Sequence, residues 1–201
     1  MADNYTIIVE NNLKQLYDGR TDALAQNLPG QQDGQRIRFR AFGEECEITP
    51  NGVTLGDKEH SSVFRILITL YALNARPDEC VVSPLRSFKE FPDSAPYVGA
   101  FATHTEQVIA PLVAAVKEKQ SLIREKLNGR EAPQGVGGDF SFLVYPLPKI
   151  ALCYIFYEAD EDFPASVTCL YSHNARLFLP VDGLADVGEY TSRKIMELCS
   201  S

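Results

Sequence analysis

An unbroken apolar run extends from Ile150 to Tyr157 and sets strong limits on the fold. Successive side chains of a β-strand point to opposite faces of the sheet, so a run that is apolar at every position must be covered on both faces. The run has the length of one strand and is far shorter than the ~20 apolar residues that span a bilayer as a helix. It therefore predicts a central strand, with other segments packed against each face.

Further strand-like segments surround this run. Their β-branched and aromatic residues predict strands over Phe140 to Tyr145, Lys149 to Glu158, Ser166 to Tyr171 and Arg176 to Leu179. The links between these segments are short, whereas a parallel pair of strands needs a crossover of a dozen residues or more. The C-terminal half of the chain is therefore expected to form an antiparallel meander.

A smaller β region is predicted nearer the N-terminus. Gly30 to Gln35 has the composition of a polar loop, and Arg36 to Arg40 alternates charged and apolar residues as a half-buried strand does. Asn51-Gly52 predicts a hairpin with a type I′ turn, because that turn needs positive φ at both central residues. Glu45 and Glu47 are expected to pair with the three arginines as a solvated salt ladder, although this arginine face could instead hold an anion.

Apolar residues at helical spacing predict helices that cover the sheet. These helices are expected over Asn4 to Tyr17, Lys58 to Asn74, Tyr97 to Leu127 and Asp182 to Leu198. The segment from Lys58 to Asn74 is apolar around most of its circumference, so it is expected at the centre of the core, with Asp57 as its N-cap. Pro111 is expected to kink or divide the long segment that contains it.

Together these elements predict an α+β fold, with a mainly antiparallel sheet packed by helices and a small N-terminal β-hairpin region. A length of 201 residues fits a single domain, in which residues 30–56 could form a small N-terminal lobe.

Charge and cysteine usage limit the partners. The 27 acidic residues outnumber the 19 basic ones and give a net charge of −8, which disfavours nucleic acid and anionic membrane surfaces as partners.

The five cysteines are dispersed along the chain, so they are expected to be reduced thiols packed as small apolar groups. Cys153 and Cys169 are among them, on predicted strands that could pair. The acidic N-terminal sequence does not resemble a signal peptide, and a cytoplasmic protein is expected.

The densest polar signal is the acidic loop, Glu158 to Phe163, which follows the apolar run. Glu158, Asp160, Glu161 and Asp162 place four carboxylates at the end of a rigid strand, where they could bind a hard cation or supply a general base. The alternative is a solvated hairpin tip in which Phe163 serves as a hydrophobic plug.

The three histidines do not form a local metal motif. His104 falls near an apolar helical face, where a hydrogen-bonded core histidine is expected. His173 falls in a predicted turn, and His60 in the first turn of a predicted helix. A metal site would therefore need His104 or His173 to meet Asp160 or Glu161 through folding.

Several short stretches resemble a prokaryotic family known only as domain of unknown function 3786, common in anaerobes. They are Pro148 to Ile150, Asp160 to Ala165, Leu179 to Asp182, and Leu184 with Val187 and Gly188. The resemblance covers most of the chain from Phe64 onward. It implies an association with small four-cysteine iron–sulfur modules of the kind seen in corrinoid proteins, but this chain lacks that cysteine cluster. It carries over no catalytic residues.

These observations leave three functions open. The first is a ligand-binding or accessory protein acting near Glu158, Asp160, Glu161, Asp162 and Phe163, in anaerobic cofactor or redox metabolism, with a small-molecule or protein partner. The second is a metal-dependent enzyme that uses the acidic loop at 158–162. The third is a structural subunit of a complex. The residues identify no cofactor.

Overall fold

The computed structural model describes residues 4–18, 27–56 and 60–200. An N-terminal antiparallel sheet has the order β1-β2-β3-β4, and a C-terminal one has the order β5-β9-β8-β7-β6. The N-terminal strands are β1 Gln31–Asp33, β2 Arg36–Ala41, β3 Glu44–Thr49 and β4 Gly52–Leu55. The C-terminal strands are β5 Arg86–Ser87, β6 Arg130–Glu131, β7 Phe140–Leu147, β8 Ile150–Tyr157 and β9 Ser166–Tyr171. The α-helices are α1 Asn4–Tyr17, α2 Ser62–Leu73, α3 Val98–Phe101, α4 Val113–Lys126 and α5 Val181–Ser200. The predicted α+β class with antiparallel sheets is confirmed.

The apolar run is the central strand β8, buried from Ile150 to Phe156. Its even-numbered residues face the main core, which the helices cover. Ala151, Cys153 and Ile155 face a second apolar cluster. That cluster is closed by side chains of irregular segments, including Val82, Leu85 and Val136. Both faces are therefore covered as predicted, but loops cover the second face.

Helix α2 is shorter than predicted. It begins at Ser62, because Ser61 is the N-cap and its hydroxyl accepts a hydrogen bond from the Phe64 N–H at 3.3 Å. Asp57, the predicted cap, lies outside the described residues. One face of α2 is buried and packs against α1, where Asn12 Nδ2 donates to Thr69 Oγ1 at 3.0 Å. The opposite face is partly open, since Val63 is 39% exposed.

The predicted break at Pro111 is confirmed. The stretch divides into α3, a π-helical turn at Ala102–Gln107, a 3₁₀ turn at Ala110–Leu112, and α4. Proline cannot donate an N–H to a helix and clashes with the preceding turn, so a regular α-helix is disfavoured at that point. Asn128, with φ of 52°, then ends α4 in the left-handed conformation that closes many helices.

The predicted hairpin between β3 and β4 is present, but its turn differs from the prediction. Thr49 pairs with Gly52, so Pro50 and Asn51 form the loop; a type I′ turn is excluded there because proline fixes φ near −65°. The type I′ turn lies instead at Phe42-Gly43, where φ is 49° and 83°. The predicted polar loop at residues 30–35 contains β1, which pairs with β2.

The strand predicted over Arg176 to Leu179 is wrong. Arg176 and Leu177 lie in a 3₁₀ turn at Ala175–Leu177, which ends where the Phe178 N–H donates to the Ala175 carbonyl at 3.0 Å. Phe178 and Leu179 are both buried, so they do not alternate as neighbours on a half-buried strand would.

Helix α5 is hydrogen-bonded to both the C-terminal sheet and the π turn. The hydroxyl of Ser192 donates to the Thr105 carbonyl at 2.7 Å and lies 3.0 Å from the Tyr154 hydroxyl of the central strand. The Tyr171 hydroxyl donates to the Leu184 carbonyl at 2.6 Å. These buried bonds fix α5 against the C-terminal sheet and the π turn. None of the helices in the described ranges is long and apolar enough to cross a membrane.

Candidate functional site

The acidic loop is an exposed tip. Asp160 Oδ1 accepts hydrogen bonds from the N–H groups of Asp162, at 2.9 Å, and Phe163, at 2.7 Å. Glu158 forms an ion pair with Lys117. The predicted plug is wrong, because Phe163 is 70% exposed. None of the five candidate residues of this loop lines either of the two cavities described below.

The histidines occupy separate places. His60 precedes α2, and its Nε2 lies 3.1 Å from the Leu55 carbonyl. His104 is exposed at the rim of a cavity, so its predicted core position is wrong. His173 Nδ1 lies 3.3 Å from Arg86 Nε. Across the described ranges, no group of three or more His, Cys, Asp or Glu side chains is placed to hold a metal ion. A metal at Asp160 or Glu161 stays a prediction.

The arginine face of the N-terminal sheet forms the predicted salt ladder in part. Glu47 accepts from Arg38 at 2.9 Å and lies 3.4 Å from Arg36 Nε. Arg40 instead donates to the Gly43 carbonyl at 2.7 Å and lies 3.4 Å from the Lys126 carbonyl at the end of α4. A cation at a helix C-terminus is stabilising, so this arginine has a structural role.

The central cysteines are packed thiols. Cys153 lies opposite Leu170 and Cys169 lies opposite Tyr154, so the two sulfur atoms are on opposite faces of the sheet. Burial raises the pKa of Cys153 to about 11 and that of Cys169 well above its usual value. Thiolate chemistry is therefore disfavoured at both positions.

A cavity of about 200 Å³, here called the aromatic cavity, lies where the N-terminal sheet, α2 and α5 meet. Its apolar and ring-bearing lining consists of Phe42, Leu55, His60, Phe64 and Tyr190. Its charged lining consists of Glu44, Arg193, Lys194 and Glu197.

The type I′ turn fixes the rings of this cavity. The Phe42 N–H donates to the Pro146 carbonyl at 2.6 Å, which ties the turn to the C-terminal sheet. The Phe42 ring centroid then lies 5.7 Å from that of Phe64 and 5.9 Å from that of Tyr190. A bulky residue at positive φ is uncommon, so this conformation is held by its tertiary contacts.

An ionic network closes the rim. Lys194 pairs with Glu44 and lies 3.4 Å from Glu197, while Arg193 pairs with Glu189. Burial disfavours the Lys194 ammonium, but its hydrogen bond and charge contacts with Glu44 outweigh that effect and leave its pKa above the usual value. Lys194 is therefore a fixed cation at this rim.

A second cavity of about 140 Å³, here called the acidic cleft, lies between the π turn and α5. Its lining comprises Tyr97, Ala100, Phe101, His104, Thr105, Asp182, Ala185, Asp186 and Glu189. The pKa of Asp186 is raised from 3.8 to about 6 by burial and by the negative charges of Glu189 and Asp182.

The sequence-based predictions included neither cavity. Asp182, Asp186 and Glu189 have the spacing of one helical face, a signal that could have marked the acidic cleft. Phe42, Phe64 and Tyr190 lie far apart in the chain, and no local pattern brings them together.

Comparison with known proteins identifies the family of this chain but no function. The family model described as Domain of unknown function (DUF3786) matches residues 20–194, so the chain belongs to this family. The search of curated proteins and the search of solved structures gave no match. Two stretches that carry the resemblance lie beside the acidic cleft: Leu179 to Asp182 leads into α5, and Leu184 to Gly188 lies in its first turns.

Proposed function

We propose that this member of the DUF3786 family is a ligand-binding protein whose site is the aromatic cavity. The observation that carries this proposal is the arrangement of three mutually packed rings beneath a charged rim in one concave site. Small-molecule sites are typically concave and apolar, with a few polar groups that fix the orientation of the ligand.

The lining favours a small ligand with a flat apolar body and no net charge. Arg193 and Lys194 are balanced by Glu44 and Glu197, so the rim offers hydrogen bonds of both kinds without favouring one sign of charge. The volume of about 200 Å³ lies below the range of ~300–1,000 Å³ that drug-sized ligands occupy. A neutral heteroaromatic compound or an aromatic zwitterion meets these requirements.

The cellular location and role of the protein are proposed from the sequence and the family resemblance. We place the protein in the cytoplasm, in an accessory role within anaerobic cofactor or redox metabolism, and without nucleic acid as a partner. The net charge of −8 supports the last point. A metal-dependent reaction at residues 158–162 and a structural role in a complex remain alternative proposals.

Native mass spectrometry of protein purified without oxygen tests for a co-purifying small molecule. Ligand-observed NMR then tests indole and phenylalanine against the charged analogues benzoate and benzylamine. We expect the two uncharged or zwitterionic probes to bind with dissociation constants below about 1 mM, and the charged analogues more weakly.

Variants locate the site. Tyr190→Ala removes one ring of the cavity and is expected to abolish probe binding, whereas Tyr190→Phe retains the ring and is expected to preserve it. Tyr157→Ala is the matched control, because Tyr157 is 43% exposed and lines neither cavity. Equal losses in Tyr190→Ala and Tyr157→Ala, or no binding to the unmodified protein, would overturn the proposal.

A further inference from the structure

We propose that the ligand of the aromatic cavity is a free α-amino acid with an aromatic side chain, whose carboxylate binds Arg193 and whose ammonium group binds Glu197. This inference rests on the proposed function and narrows the ligand to one chemical class. Arg193 and Glu197 both line the cavity and carry opposite charges. A free α-amino acid carries a matching pair of charges on one carbon atom, whereas a residue inside a peptide chain carries neither of them.

The four charged side chains at the rim divide into a fixed pair and an open pair. The fixed pair is Glu44 with Lys194, which are mostly shielded from solvent and joined by a hydrogen bond between the N-terminal sheet and α5. The open pair, as it is called here, is Arg193 and Glu197, whose side chains are 61% and 66% exposed. A charged ligand can approach the open pair without breaking the bond that joins the two walls of the cavity.

The open pair retains hydrogen-bonding capacity. Arg193 donates to Glu189 through Nη2, and in the part of the chain that the structure describes its Nη1 and Nε have no hydrogen-bond partner. A guanidinium donates two parallel N–H bonds to a carboxylate, so Arg193 can still hold the carboxylate of a ligand. The Oε2 atom of Glu197 lies 3.4 Å from Lys194, and this exposed carboxylate can accept from a further ammonium N–H.

The spacing of the open pair suits the two charges of one small molecule. Arg193 and Glu197 occupy positions i and i+4 of α5, so they lie on one face, about 6 Å apart along the helix axis. A cation on the N-terminal side of an anion is the weaker order for a direct ion pair, and each residue pairs with another partner instead. Because the two residues do not neutralise each other directly, their long side chains can converge on the adjacent ammonium and carboxylate groups of a ligand.

The open pair adjoins the rings of the cavity. The Arg193 Cζ atom lies 5.8 Å from the centroid of the Tyr190 ring, and that ring packs edge-to-face against Phe64 with centroids 5.3 Å apart. A planar ring of a ligand gains favourable contacts when it packs against aromatic side chains in offset or edge-to-face geometry. An aromatic amino acid whose ring packs against Phe64 and Tyr190 therefore extends its charged end toward the rim.

Isothermal titration calorimetry at low ionic strength and pH 7.5 tests the inference with phenylalanine and three analogues that each lack one feature. The analogue 2-phenylethylamine lacks the carboxylate, 3-phenylpropionate lacks the ammonium group, and leucine lacks the aromatic ring. We expect each analogue to bind at least about threefold more weakly than phenylalanine, the size of effect that one partly exposed charge contact produces.

Variants assign each charge of the ligand to one residue. Arg193→Gln is expected to abolish the advantage of phenylalanine over 2-phenylethylamine, because the carboxylate then has no partner. Glu197→Gln is expected to abolish its advantage over 3-phenylpropionate, whereas a purely structural effect of either variant would weaken all probes alike. Arg76→Gln and Glu118→Gln are the matched controls, because they remove the same charges outside the cavity and are expected to leave the ratios unchanged.

Indole separates failure of this inference from failure of the proposed function. If neither indole nor any of the phenyl compounds binds, both are overturned. If indole binds but phenylalanine binds no more tightly than its analogues, only the assignment of an aromatic amino acid is overturned. The same holds if Arg193→Gln and Glu197→Gln leave the advantages of phenylalanine intact, since its charged groups would then be bound elsewhere.

Discussion

Gly188→Ala is expected to destabilise the protein, although alanine is the better helix former. A Cβ at this position in α5 would lie 2.7 Å from Phe101 Cε2, 2.7 Å from Thr105 Oγ1 and 3.0 Å from the Tyr171 hydroxyl. These neighbours have little room to move. Phe101 is stacked on Phe88, and the Tyr171 hydroxyl is fixed by its hydrogen bond to the Leu184 carbonyl. The clash must therefore displace α5 from the π turn.

Two opposing effects set the change in the free energy of unfolding that Gly188→Ala causes. Replacing glycine by alanine inside a helix stabilises by about 1 kcal/mol, whereas an extra methyl group in a tightly packed core costs about 1–3 kcal/mol and occasionally more. Three contacts at or below 3.0 Å place this site at the upper end of that range. We therefore expect a net loss of about 1–2 kcal/mol in the free energy of unfolding.

Gly183→Ala is the matched control in the same helix. Its nearest neighbour would be Leu179 Cδ2 at 3.2 Å, a methyl group at the end of a flexible side chain. This variant is expected to be neutral or up to about 1 kcal/mol more stable, because the helix-propensity term is then opposed by little strain.

Urea unfolding followed by far-UV circular dichroism measures both variants, with equal m-values required for the comparison. If Gly188→Ala were as stable as the unmodified protein while Gly183→Ala behaved as expected, the close approach of α5 to the π turn would be refuted. The position of the acidic cleft, which depends on that approach, would then need revision.

Other perturbations test further parts of the structure. Asp186→Asn is expected to stabilise the protein by about 1 kcal/mol at pH 7. Each unit by which the pKa of Asp186 is raised corresponds to about 1.36 kcal/mol, and this total is reduced because the carboxylate is partly exposed to solvent. The pKa of Asp186 is raised from 3.8 to about 6, so the folded state disfavours the charged carboxylate: the advantage of the variant should be full above pH 6, decline between the two values and vanish below 3.8, in urea titrations at several pH values. Ser192→Ala should cost about 1–3 kcal/mol in the same assay, because it removes the hydroxyl that hydrogen-bonds both the buried Tyr154 hydroxyl and the Thr105 carbonyl. Native protein treated with a thiol reagent should react first at Cys80 and Cys199, which are partly exposed, and labelling of a buried cysteine at the same rate would contradict the packing.

The candidate sites were less predictable than the fold. The acidic loop was evident in the sequence as a run of carboxylates, but its exposure depends on where the β8–β9 hairpin projects. The raised pKa of Asp186 also depends on the tertiary structure, since burial and the negative charges of Glu189 and Asp182 cause it. Burial of a particular carboxylate is decided by segments distant in the chain, so composition alone cannot identify it.

Local sequence patterns predict the central strand, the antiparallel meander, the division of the long helical segment at Pro111 and the extent of α5. Each depends on local chemistry: alternation of side chains, the missing N–H of proline, or apolar residues repeated at helical spacing. Three features became visible only in the folded chain: loops cover the second face of β8, Phe42 adopts positive φ, and Gly188 lets α5 approach the π turn. These features come from contacts between residues far apart in the chain. Because the interior is close-packed, they depend on how entire elements fit against one another, and a local sequence pattern carries no information about that fit.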